Sequence, residues 1–173
     1  MSADERRKAI LKILESSDKP ISATFLAKEL GVSRQVIVGD VALLRALEHK
    51  IIATSRGYIL ESSLVSSGYT GKLACFHKPE DTQKELYAIV DNGGTILDVV
   101  ITHEIYGELT GRLNLSSRAE VDGFLKSCEN TSSKLLTELT GGIHLHTVTC
   151  KDKATFAKIH AELNKIGIIY NEE

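Results

Sequence analysis

Along the first quarter of the chain, apolar residues recur every three to four positions. Ala9, Ile10, Ile13 and Leu14 form one face of a helix from about residue 5 to 16. Ser22 suits the N-cap of a short helix carrying Phe25, Leu26 and Leu30. Gly31 stands where a chain leaving that helix needs positive φ. Ser33 caps a longer helix with Ile37, Val41 and Leu44 facing inward. The β-prone runs IIAT and YILE flank Ser55-Arg56-Gly57 and predict a hairpin. Three helices followed by a small hairpin is the element order of a winged helix-turn-helix.

Beyond residue 68 the pattern alternates between strands and helices. KLACFH reads as a strand. Pro79, Glu80 and Asp81 suit the first turn of a helix that buries Leu86, Ile89 and Val90 and stops at Asn92-Gly93-Gly94. TILDVVIT and GELTGRLNL follow as strands. Ser117 and Glu120 match a capping box ahead of Val121, Phe124, Leu125 and Cys128. GIHLHTVTC alternates as a strand does, and Phe156, Ile159, Leu163 and Ile166 mark a last helix. The order β-α-β-β-α-β-α predicts a ferredoxin-like α/β sandwich, with helices on one face of an antiparallel sheet. The fold class is therefore α+β in two modules. A winged helix-turn-helix spans residues 1–62, a Ser-rich connector 63–68, and the sandwich 69–173.

Composition agrees with a globular chain: 173 residues, 42% hydrophobic and 25% charged. No apolar run approaches the ~18 residues of a membrane span. The charged start MSADERRKAI has no signal-peptide core. Cys75, Cys128 and Cys150 are scattered, as reduced thiols in a cytoplasm are. The net charge of −2 conceals an asymmetry. Residues 1–60 carry ten Lys/Arg against seven Asp/Glu, and residues 61–173 carry eleven against sixteen. Only the first module is suited to phosphates.

In that module Ala27 is small enough for a helix crossing, Gly31 makes the turn, and Val32 and Ile37 anchor the second helix. Ser33, Arg34 and Gln35 then face a major groove, where Arg suits guanine and Gln suits adenine. Arg56 at the hairpin tip suits a phosphate or the minor groove, and Arg45 and Lys28 are candidate phosphate contacts. The ordinary alternative is a three-helix packing unit with a solvated face. The local charge is small, so one copy binds weakly and a dimer is implied. Gly39 inside the helix costs about 1 kcal/mol relative to Ala.

In the second module, His144 and His146 are two apart on a strand, so both rings emerge on one face. Two imidazoles on a rigid surface suit a divalent cation. His77 approaches them if the first and last strands are neighbours, and Glu85 can add a carboxylate from the helix above. Three His and one Glu suit Zn²⁺, Ni²⁺, Co²⁺ or Fe²⁺. The ordinary alternative for such a pair is half-buried polar residues. Cys150 shares their face and reads as core.

The segments GVSRQVIV, DVALLRA and SRGYIL, then PEDTQKELYAIVDNGG, ILDVVITHEIYGEL and GGIHLHTV, resemble the niacin-responsive transcriptional repressors. That family joins an N-terminal winged helix-turn-helix to a C-terminal 3H domain, and the resemblance covers nearly the whole chain. The second group of segments is the more specific. The resemblance implies a homodimer on operator DNA, repressing genes of niacin uptake or NAD synthesis, with nicotinic acid as co-repressor. It implies a divalent metal held by His77, Glu85, His144 and His146 in the regulatory and dimerisation domain. It also implies that His103, Tyr106 and Gly107 line the ligand pocket. Nicotinate offers a ring nitrogen to a metal and a carboxylate to a cation or a helix start. Arg112 is one candidate for the carboxylate, its ordinary alternative being an exposed surface residue. Two positions depart from the family: Glu104 where Pro is expected, and Gly39 where a polar residue is expected. Two other functions fit the same residues. One is a regulator sensing the metal itself or another small carboxylate. The other is a metal-dependent hydrolase with Glu85 as base.

Overall fold

The computed structural model describes residues 1–64 and 68–171. The chain forms two compact units, Met1–Ser66 and Ser67–Glu173. The connector expected at 63–68 includes residues 65–67, which lie outside the described residues.

The first unit contains α1 (Ala3–Glu15), α2 (Ala23–Leu30), α3 (Arg34–Ala46), β1 (Ile51–Thr54) and β2 (Gly57–Leu60). The α1 helix starts two residues earlier than its apolar stripe suggests, because Ser2 and Glu5 form a capping box. Ser22 Oγ accepts from the Phe25 N–H and Ser33 Oγ from the Val36 N–H, so both expected caps form. Gly31 ends α2 at φ 66°, in the left-handed region. Ile10, Leu14, Leu26, Ile37, Val41 and Leu44 meet in one core, with Ala27 buried among them. Each such Leu or Ile contributes roughly 1.5–3 kcal/mol through burial. The buried Asp40 of α3 receives Arg6 Nε at 2.5 Å and Arg7 Nη1 at 3.5 Å, which ties α1 to α3. Ile21 and Tyr58 exchange both backbone hydrogen bonds at 2.8 Å and extend the hairpin by one bridge.

The second unit contains β3 (Tyr69–Phe76), α4 (Thr82–Asp91), β4 (Thr95–His103), β5 (Gly107–Leu115), α5 (Arg118–Glu129), β6 (Ile143–Cys150) and α6 (Lys153–Lys165). The sheet order is β3-β6-β4-β5 and every neighbouring pair is antiparallel. Thus β3 and β4 run parallel with β6 between them, and β5 and β6 run parallel with β4 between them. The helices α4 and α5 bridge these gaps, giving two split β-α-β units in an antiparallel α/β sandwich. The strand order corrects the ferredoxin-like expectation, because β3 lies at the edge and β6 in the centre, whereas a ferredoxin-like sheet has its first strand central and its last at the edge. Leu73, Leu86, Ile89, Ile96, Leu115, Val148, Ile159 and Leu163 fill the core between sheet and helices. Ser117 caps α5 as expected, while the Glu120 carboxylate accepts from the Ser116 N–H and hydroxyl, one residue before the cap.

Two features are not visible in the apolar pattern. A 3-10 turn, Leu136–Thr140, lies between α5 and β6. Residues 168–170 run along the outer edge of β3, where Phe76 N–H donates to Ile168 O and Tyr170 N–H to Ala74 O. That pairing covers an edge that would otherwise present unpaired backbone groups. Among the described residues no helix is long and apolar enough to cross a membrane.

Candidate metal centre and nucleic-acid interface

Strand alternation turns His144 and His146 toward the helices, and β3 lies beside β6 with Cys75 opposite His144. His77 follows the end of β3, and Glu85 sits in the first turn of α4. All four predicted ligands are brought together and buried, with Glu85 only 1% exposed. His77 Nε2 lies 2.7 Å from Glu85 Oε2, and His144 Nε2 lies 2.9 Å from Oε1. His146 Nε2 lies 3.3 Å from Oε2. At that distance the pair attracts, but it lacks hydrogen-bond alignment, which leaves His146 Nε2 a buried nitrogen without a hydrogen-bond partner.

The far side of each ring fixes its tautomer. The Nδ1 atoms of His77, His144 and His146 lie 2.7, 2.8 and 2.7 Å from the carbonyl oxygens of Lys78, Gly142 and Asp98. A carbonyl only accepts, so each Nδ1 carries a proton and donates it. In a neutral ring the Nε2 is then a bare lone pair. Three lone pairs thus converge on a carboxylate that has no proton to offer. Such a cluster is stable only if the rings take up second protons or a cation sits among them. Backbone carbonyls orienting the distal nitrogens are the usual support of metal-binding histidines.

The electrostatics follow the same geometry. Burial pushes the His77 and His146 imidazoles down, but Glu85 overrides it and leaves both above their ordinary value. Burial pushes the Glu85 carboxyl up, yet His146, His144 and His77 hold it well below the usual carboxylate range. The residues present therefore fit a divalent cation: one permanent negative charge, three oriented imidazoles and no neighbouring Lys or Arg among these contacts.

A donor absent from the sequence reading also reaches this point. Cys75 Sγ, a Glu85 oxygen and a His144 ring nitrogen all lie within 4.8 Å of one another. The spacing Cys75-x-His77 carried the signal, being the same two-residue step as His144-x-His146.

An adjoining cavity has His77, Glu85 and His146 at its polar end and Leu86, Val99, Leu113, Phe124 and Leu136 as walls. The other expected ligand-binding residues, His103, Tyr106, Gly107 and Arg112, are not among its lining. His103 sits at the β4–β5 hairpin, where its Nδ1 accepts from the Ile105 and Tyr106 N–H groups. Tyr106 stacks on that ring and is 72% exposed, and Gly107 opens β5 directly after it. Arg112 pairs with Asp98 Oδ2 at 3.5 Å. A Cβ on its neighbour Gly111 would meet Leu136 and Val99 of the cavity wall, so alternation turns Arg112 to the opposite face.

In the first unit, Arg34 and Arg56 line one surface depression with Ser22 and Thr24. Gln35 is exposed beside them, and Ser33 acts as the α3 cap. This joins the start of α3 to the hairpin tip, as a winged helix requires. Arg45 lies in the last turn of α3, ~16 Å along the axis from Arg34, beside Glu48 and Lys50. It is not brought to the reading end. Lys28 is exposed in the last turn of α2. A Cβ on Gly39 would meet nothing within 4 Å, so the fold of this unit does not require glycine there.

Comparison with known proteins agrees with both units. Residues 70–172 match the 3H domain family, and residues 6–59 match an HTH domain family. The chain is 45% identical over 168 residues to the probable transcription repressor NiaR of Thermotoga maritima, covering 97% of this chain and 95% of that protein. It is 40% identical over 169 residues to the transcription repressor NadR of Bacillus subtilis, covering 96% and 94%. These relatives are named as repressors and not as enzymes, and Glu85, engaged by three imidazoles, is no free base, so the hydrolase alternative falls. The chain belongs to the family of transcription repressors that join a helix-turn-helix domain to a 3H domain.

Proposed function

We propose that this chain is a cytoplasmic, homodimeric repressor that binds operator DNA when a divalent metal and nicotinic acid occupy its 3H domain. The observation that carries this reading is the convergence of three buried Nε2 atoms on Glu85, each ring held by a backbone carbonyl. His77, Glu85, His144 and His146 hold a borderline ion such as Zn²⁺, Ni²⁺, Co²⁺ or Fe²⁺. Bound there, the ion supplies a Lewis-acidic position for a pyridine nitrogen. The apolar walls of the cavity suit the flat ring. Thr82 and Thr137, which also line the cavity, and the N-terminus of α4 face the carboxylate. Arg34, Gln35 and Arg56 read the operator from each copy. A dimer places two such helices on half-sites about 34–36 Å apart. The ligand shifts DNA affinity only through its different affinities for the two dimer arrangements.

Fluorescence anisotropy on duplexes selected from a random pool tests this. Nicotinic acid with metal is expected to tighten binding of the full chain, and chelation to abolish the effect. Tightening by metal alone, or by quinolinate and not nicotinate, would replace nicotinate with another signal. Binding indifferent to every one of these additions would defeat the sensing account.

A further inference from the structure

Cys75 is fully buried and lies directly across from His144. We propose that Cys75 is a ligand of the same metal, which makes the centre a mixed nitrogen, oxygen and sulfur site. The inference rests on the metal reading above and goes beyond it.

Cys75, Glu85 and His144 offer three kinds of donor atom inside a 4.8 Å circle. Metal–nitrogen and metal–sulfur bonds of ~2.0 and ~2.3 Å set neighbouring ligands of one ion about 3–3.5 Å apart. The orphaned His146 Nε2 independently points to a cation at this centre. Coordination breaks the S–H bond, forms a metal–sulfur bond and releases the proton to solvent, with no change of oxidation state. A thiolate donor favours Zn²⁺, Co²⁺ and Ni²⁺ over Mg²⁺ and Ca²⁺. The competing explanation is that Cys75 is a small core hydrophobe packed with Leu73 and Ile168.

The test loads the full chain with Co²⁺ alone and reads its absorption spectrum, with cobalt counted by elemental analysis. A near-ultraviolet sulfur-to-cobalt charge-transfer band is expected. Cys75→Ser is expected to keep cobalt, lose the band and bind at least about tenfold more weakly. The double variant Cys128→Ser, Cys150→Ser is expected to keep the band, and it decides the matter alone if Cys75→Ser does not fold. Bound cobalt without the band in the unaltered chain overturns the role of Cys75 and leaves the histidine site standing. No bound cobalt at all overturns both.

Discussion

Gly142 accepts the Nδ1 proton of His144 at 2.8 Å while its own α-carbon lies against the backbone of His77. A Cβ at position 142 would come within 2.3 Å of the His77 carbonyl oxygen, and φ is 104°. One glycine thus holds β6 and the end of β3 at the spacing the cluster needs. Gly142→Ala is expected to cost more than about 1 kcal/mol and to weaken metal binding. Chemical denaturation and a metal titration check this; an unchanged affinity would detach the glycine from the site.

Glu85 is the carboxylate on which the three imidazoles converge. Glu85→Ala strands those rings, and in the metal-free protein it is expected to cost about 3–5 kcal/mol. The metal content of the purified variant should fall as well. A stable variant with full metal content would show that the carboxylate is dispensable.

Protons and metal compete for the same nitrogens. Without metal, the raised His77 and His146 contribute stability that is present below the ordinary imidazole value and lost as pH rises through their raised values. The lowered Glu85 contributes stability present above the ordinary carboxyl value and lost as pH falls through its lowered one. Metal affinity runs the other way on the alkaline side, because the ligands must be deprotonated. The gain in melting temperature on adding Zn²⁺ should therefore grow from about pH 6 to about pH 8. A gain independent of pH would argue against histidine ligation.

Arg34 and Arg45 stand at opposite ends of α3 and should fail differently. Arg34→Ala is expected to cost about 1–3 kcal/mol on the preferred duplex and to relax the choice at one base pair. Arg45→Ala is expected to weaken all duplexes alike and to lower the salt dependence if it touches phosphate. Anisotropy titrations at several salt concentrations distinguish the two patterns.

Gly39 lies mid-helix with open space around its missing side chain. Gly39→Ala is expected to stabilise the first unit by about 1 kcal/mol. Thermal melting checks it. No gain would mean that some contact of this position demands glycine.

Much of the fold can be read along the chain because its signals are local. Ser22, Ser33 and Ser117 cap helices from their own sequence neighbourhoods, and Gly31 turns the chain where it stands. The Ser2-x-x-Glu5 box is equally local, but it lies ahead of the apolar stripe that marks the helix. The 3-10 turn at Leu136–Thr140 has no such signature, although Leu136 walls the cavity. His103 and Arg112 carry suitable chemistry, but a turn and Asp98 occupy them. Residue type gives no warning of a partner supplied by the fold.

The sequence by itself determined that His144 and His146 share a face, because a strand repeats every two residues. It also determined a reading helix between Ser33 and Arg45, because caps and apolar spacing are properties of consecutive residues. Only the tertiary structure decided that β6 lies beside β3 and that α4 lowers Glu85 onto the imidazoles. It also decided that Cys75 joins them and that Tyr106 does not. Those outcomes depend on strand order and crossover packing, which bring residues about 60 apart in the chain to within hydrogen-bonding distance of one another.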